Sequence, residues 1–203
     1  MFSANTIPLM PVLVSSKRRF TRAFTLVELM IAVAIIAVLA TLAVVGYRKL
    51  VNSSHTSEAT HMIGAIRVAQ ETFHSETGQY ANVSPGITVG SLYPLANAPA
   101  DTLTSWGMPC GVCADPQAWN RLPVHSDGPV RFGYATVAGV AGTAPAVPAL
   151  TFESKVVNWP PANNITSDWY IVTAMGDMDN NTIYCTMMGT SWDKQIFVDK
   201  EGE

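Results

Sequence analysis

The chain has 203 residues, 48% hydrophobic and only 13% charged, with a formal net charge of -3. That length holds one domain with a modest core plus an anchor. The slight acidity argues against nucleic-acid binding over the whole surface.

Positive charge is local, at Lys17, Arg18, Arg19 and Arg22. Ahead of it, Ile7 to Val14 is interrupted by Pro8 and Pro11 and is too short to span a bilayer. Residues 1–23 therefore read as a basic leader. Residues 24–47 carry a single charge, Glu28. As a helix at about 1.5 Å per residue they reach roughly 36 Å, enough for a hydrocarbon core of about 30 Å. The basic cluster outweighs Arg48 and Lys49 beyond the run, which places the N-terminus in the cytoplasm and the C-terminal bulk across the membrane.

Three readings of this segment stay open on the residues alone. It is an ordinary single-span anchor; or a secretory signal cut near Ala40 or Ala43, with Arg18-Arg19 resembling a twin-arginine pair; or a span in which Glu28 has a purpose. A carboxylate inside hydrocarbon costs about 2.5–3.5 kcal/mol on insertion scales, so it needs a partner. A cut after Ala23 would place the new α-amino group of Phe24 about one helical turn from Glu28. That amine could neutralise the carboxylate within one chain or between neighbours.

Beyond Tyr47 the pattern turns amphipathic. Ala59, Met62, Ile63, Ile66, Ala69 and Phe73 step by three and four along one helical face. Thr60, His61, Gly64, Arg67, Glu71 and His74 fall mostly elsewhere. No proline occurs between Phe24 and Pro85, and Gly78 supplies a stop. The spacing predicts one helix from Phe24 to Thr77, membrane-spanning over 24–47 and amphipathic over 48–78. His55, His61 and His74 lack the spacing of a helical metal pair and read as solvated residues.

Residues 79–203 read as a globular loop-plus-sheet domain. Residues 81–129 are loop-like, with Trp106 and Trp119 expected to pack them down. Cys110-Gly111-Val112-Cys113 lies inside, and Cys185 is the remaining cysteine. A small disulfide, a bridge from either one to Cys185, a zinc site and a redox motif are all open readings. An oxidising compartment favours a structural disulfide, while zinc wants two more ligands and a redox role wants a βαβ context. Strands are expected at 130–137, 150–156, 169–174, 183–188 and 195–198, with a Gly/Ala/Pro linker at 138–149. Short connections give an antiparallel sheet covered by the long helix, an α+β fold.

Between the last clear strands lies Gly176-Asp177-Met178-Asp179-Asn180-Asn181-Thr182. Oxygens from Asp177, Asp179 and Asn181 suit a hard cation such as Ca²⁺, and turn-forming Asp and Asn explain the same residues without metal. The EF-hand pattern fails at Thr182 and Met188, which stand where glycine and glutamate are required. No phosphate-cradling loop, catalytic triad or carboxylate pair is recognisable, so no enzyme and no other cofactor are expected.

The run from Lys17 to Ala23, followed by Phe24-Thr25-Leu26-Val27-Glu28-Leu29-Met30-Ile31, resembles the leader and cleavage/methylation motif of type IV prepilins and type II secretion pseudopilins. Phe73 to Tyr80 also resembles the end of a pilin's first helix. The resemblance implies a type IV pilin fold. It implies cleavage between Ala23 and Phe24 by prepilin peptidase, N-methylation of Phe24, and pairing of Glu28 with a neighbouring subunit's N-terminal amine. It implies as partners other pilin subunits, an inner-membrane assembly platform and membrane lipid. The subunit would be a single-pass inner-membrane protein with a periplasmic C-terminal domain before assembly, and part of a pilus or pseudopilus afterwards. A Ca²⁺ site near this end of the fold occurs in some pseudopilins.

Three departures qualify the resemblance. Ala23 stands where glycine is usual before the cut. Ala37 and Val45 replace the usual helix breakers, which favours a minor pilin or pseudopilin over a bulk subunit. The leader is long, and a start at Met10 would shorten it. A membrane-anchored periplasmic binding protein that does not polymerise is the alternative from another class.

Overall fold

The computed structural model describes residues 24–94, 102–107, 116–143, 151–152, 155–156, 165–178 and 180–200. The chain divides into two compact units, Met1–Ala43 and Val44–Glu203. Helix α1 (Leu26–Thr77) contributes to both. In the first unit every described residue is exposed. The leader, including Ala23, lies outside the described residues.

In the second unit α1 ends as the sequence expects. Gly78 adopts φ +76°, and its N–H donates to His74 O at 2.8 Å. Without a Cβ, glycine takes this left-handed conformation at little cost. The predicted apolar stripe is the buried one: Ala59, Met62, Ile63, Ile66 and Ala69 are in the core, with Phe73 half-buried against it.

The stripe packs on a four-stranded antiparallel sheet, β1 (Gly133–Gly139), β4 (Trp169–Gly176), β5 (Cys185–Thr190) and β6 (Phe197–Asp199), in the order β1-β4-β5-β6. The fold is α+β, as expected. Strand β4 is buried along its whole length, and its alternate residues serve two layers. Tyr170, Val172 and Ala174 join the α1 core. Trp169 and Ile171 face the opposite way, onto Ile87, Ile165 and Met188. The segment after α1 contributes Ile87 to that second layer. A single 3₁₀ turn (Val89–Ser91) brings Leu92 onto Ala135 and Met175. Glycines let both layers close in. A Cβ on Gly189 would lie 3.0 Å from Ile63 Cγ2, and one on Gly133 would lie 2.8 Å from Leu92 Cβ.

The same segment covers the outer edge of β1. Ser84 N donates to Thr136 O at 2.9 Å, Thr136 N donates to Ser84 Oγ at 3.1 Å, and Tyr93 pairs with Tyr134. An exposed strand edge is thereby removed. A buried glutamine locks the arrangement. Gln70 Nε2 donates to Ala81 O at 2.8 Å and to Thr136 Oγ1 at 3.0 Å, and its Oε1 accepts from Ala81 N at 2.9 Å. On the far side, the Arg67 guanidinium donates to the carbonyls of Thr190, Asp193 and Lys194, holding the β5–β6 turn on α1.

Several sequence expectations shift. The strand expected at 130–137 begins at Gly133, because Val130 is taken by an isolated bridge to Thr104. The strand expected at 150–156 is a small hairpin, β2 (Thr151–Phe152) with β3 (Lys155–Val156). Ile183 and Tyr184 fall outside the sheet, since pairing starts at Gly176↔Cys185 and the residues between are drawn into a turn. Gln195 likewise turns, its N–H donating to Asp193 Oδ1 at 2.9 Å, so β6 starts at Phe197. Residues 95–101 and 108–115 of the loop-like 81–129 region lie outside the described residues, and the rest carries some regular structure. It includes a short helix, α2 (Pro116–Trp119). Trp106 and Trp119 do pack it down: Tyr93 stacks on Trp119 at 5.5 Å, and Trp106 stands edge-on to both.

Candidate functional site at the start of the long helix

Phe24 is 81% exposed and lies just outside the helix. Thr25 is the cap. Its Oγ1 accepts the Glu28 N–H at 3.2 Å, while Glu28 Oε2 accepts both the Thr25 N–H at 3.0 Å and the Thr25 hydroxyl at 2.9 Å. This reciprocal pair is a capping box. It satisfies two of the N–H groups that a helix start leaves without intrahelical acceptors, and it places a carboxylate at the positive end of the helix dipole.

Glu28 stands out in the sequence as a lone charge, whereas Thr25, the residue that holds it, is absent from the sequence expectations. The signal was present, since Thr-x-x-Glu before an apolar run is the capping-box pattern. Its effect is chemical. Glu28 is the one charge in 24–47 and has hydrogen-bond donors within its own chain. Behind it Leu29, Ile36, Leu39 and Leu42 all stand exposed. The helix is long and apolar enough to cross a membrane, and none of that apolar window is buried inside the structure.

The other sequence candidates are scattered. Cys185 is buried in the α1 core, and Cys110 and Cys113 lie outside the described residues. Asp177 is buried after β4. Its Oδ1 accepts from Asn181 N at 3.2 Å and its Oδ2 from Thr182 N at 2.8 Å. Asn181 Oδ1 in turn accepts from Ile183 N at 2.6 Å. These bonds form the turn the sequence allows there; Asp179 lies outside the described residues. Among the described residues, no group of three or more His, Cys, Asp or Glu could hold a metal ion. His61 is exposed, whereas His55 and His74 are half-buried rather than solvated, and His74 stacks on Tyr80 with ring centroids 4.3 Å apart.

Residues 18–44 match the family model of the prokaryotic N-terminal methylation motif. The chain carries a prepilin methylation motif. The match spans the Ala23–Phe24 junction, the capping box and the exposed apolar run. Two curated relatives share sequence with the chain. Over 61 residues it is 44% identical to the type IV major pilin protein PilA of Myxococcus xanthus, covering 30% of this chain and 28% of that protein. Over 80 residues it is 36% identical to the fimbrial protein EcpC of Eikenella corrodens, covering 37% of this chain and 52% of that protein. The chain thus spans between about a quarter and a half of the length of these relatives.

Proposed function

We propose that this chain is a structural subunit of a type IV pilus or pilus-like filament, and that it works by assembly rather than by catalysis. A prepilin peptidase cuts between Ala23 and Phe24 at the cytoplasmic face. Phe24 is then methylated, and the mature subunit waits in the inner membrane with its C-terminal body in the periplasm. An assembly platform passes it into the filament, where other pilin subunits replace lipid around the apolar helix.

The observation that carries this reading is the capping box at the head of a fully exposed apolar helix. In a waiting subunit the Thr25 donors meet part of the hydrogen-bonding demand of Glu28, lowering the cost of a carboxylate in or near hydrocarbon. A neighbour's N-terminal ammonium is a stronger partner, because it brings opposite charge as well as donors. Handing Glu28 from Thr25 to that amine favours the filament over the free subunit. The unbroken helix through Ala37 and Val45 supports a minor pilin, or a type II secretion pseudopilin, over a bulk subunit.

The test is Glu28→Ala. It should insert into membranes at least as well as the parent and lower the filament fraction by about tenfold or more, the effect of roughly 1.4 kcal/mol. Normal incorporation would sink the pairing role. Mass spectrometry of the mature N-terminus should find methylated Phe24. A terminus at Met1, at Met10 or near Ala43 would favour the membrane-anchored binding protein instead.

A further inference from the structure

Four Asn-x-Ser/Thr triplets occur in the chain, starting at Asn52, Asn82, Asn164 and Asn180. Such a triplet is the acceptor pattern for N-linked glycosylation, and it serves only where the surface of an exported protein presents it.

The fold sorts the four. Asn52 is half-buried within the regular helix α1. Asn82 is tied to the edge of β1, its Oδ1 accepting the Ala138 N–H at 3.3 Å. The hydroxyl residue of that triplet, Ser84, is buried, and its Oγ accepts from Thr136 N at 3.1 Å. Asn164 lies outside the described residues.

Asn180-Asn181-Thr182 differs from these. It lies in the turn between β4 and β5, and all three residues are exposed. Asn180 and Thr182 have left-handed backbones, at φ 59° and 70°. Asparagine visits that region readily, whereas a β-branched threonine needs something to hold it there. The buried Asp177 carboxylate does so by accepting the N–H groups of Asn181 and Thr182. The turn is thus anchored through its backbone. Its two functional side chains stay unengaged: among the described residues, neither the Asn180 carboxamide nor the Thr182 hydroxyl has a hydrogen-bond partner.

We propose that Asn180 is an acceptor for an N-linked glycan, with a polyprenyl-diphosphate-linked oligosaccharide as the donor. The inference rests on the reading above that the body is exported. A bond forms from Asn180 Nδ2 to the sugar C1 as the bond from C1 to the diphosphate oxygen breaks. The diphosphate leaves with the electron pair, and one carboxamide proton passes to the transferase. Thr182 is the specificity-determining residue, because its free hydroxyl is what the transferase reads two positions on. The glycan then stands at the tip of the β4–β5 connection, outside the sheet.

The test is a transfer reaction on the purified, folded full chain in zwitterionic detergent. It uses a single-subunit oligosaccharyltransferase that accepts Asn-x-Ser/Thr without further sequence requirement, and a polyprenyl-diphosphate-linked oligosaccharide. A synthetic acceptor peptide in the same reaction reports that the enzyme is active. Glycopeptide mass spectrometry should place the added glycan on Asn180. Asn180→Gln should abolish that addition, Thr182→Ala should lower its rate about tenfold or more, and Thr182→Ser should restore it. Asn82 should accept glycan only after the chain is denatured. The proposal is overturned by no glycan at Asn180 of the folded chain, by equal occupancy at Asn82, or by an unchanged rate in Thr182→Ala. The purified chain crosses no membrane in this reaction, so failure here rejects the site alone, and the mature N-terminus still tests the filament reading separately.

Discussion

Ile36 and Ile66 are the same side chain on one helix, yet Ile36 is 64% exposed and Ile66 is fully buried. Both stretches have helical geometry. They differ in how apolar residues are distributed around the axis. Around Ile66 they occupy one stripe, and the sheet of the same chain covers it. Around Ile36 they occupy every side, so no single sheet could cover them. An exposed apolar surface of that extent calls for lipid or other helices. The stripe builds a fold, and the all-round surface is one that this chain leaves uncovered.

The sharpest way to break that comparison is a matched pair of substitutions. Ile66→Ala should destabilise the body by about 3–4 kcal/mol through lost burial and a residual cavity. Ile36→Ala should leave the body's unfolding midpoint where it was. Denaturant titration of the full chain in detergent compares them, and an equal loss in both would end the distinction. Gln70→Leu comes next. It strands the N–H and C=O of Ala81, which should cost about 2–3 kcal/mol in the same titration. Thr25→Ala should act only on the exposed half. Loss of the cap is worth about 1 kcal/mol, so the Glu28 amide should exchange with deuterium roughly fivefold faster, with the body unaffected.

The smallest effect is ionic. Burial, and then the nearby Glu71 carboxylate, push the Tyr80 phenol from 10.0 up to about 12. The fold therefore binds this proton more tightly than the unfolded chain does. Its contribution to stability is complete below pH 10 and is lost as pH rises through about 12. Tyr80→Phe should remove one late-titrating phenol from the ultraviolet titration and flatten stability loss in that window. Burial also raises Tyr134 and Tyr170, so they should remain among the late phenols.

What was legible in the sequence was periodic. The stripe from Ala59 to Phe73, the stop at Gly78 and the apolar run of β4 all repeat in step with their own geometry. Partnerships between distant residues were not legible. Arg67 reads as a polar-face residue, yet it holds three carbonyls on the β5–β6 turn. Gln70 gives no sign that it is buried, because its partners Ala81 and Thr136 have no shared pattern with it. Ala81–Tyr93 looks irregular because its backbone pairs at isolated points along a strand edge rather than in a ladder. At the N-terminus the motif named Phe24 and Glu28 directly. The cap at Thr25 is equally local, since Thr-x-x-Glu before an apolar run is itself a capping pattern.

The excursion between β1 and β4 is closed at its base. Gly142 N donates to Ile165 O at 2.9 Å, and Ala141 N to Asp168 Oδ1 at the same distance. Chain leaving at Thr143 thus returns beside its point of departure. Closing a longer loop on such a stem costs little, about 0.6 kcal/mol per doubling of length. This is a place where evolution or an engineer can change what the protein displays without disturbing the sheet that displays it.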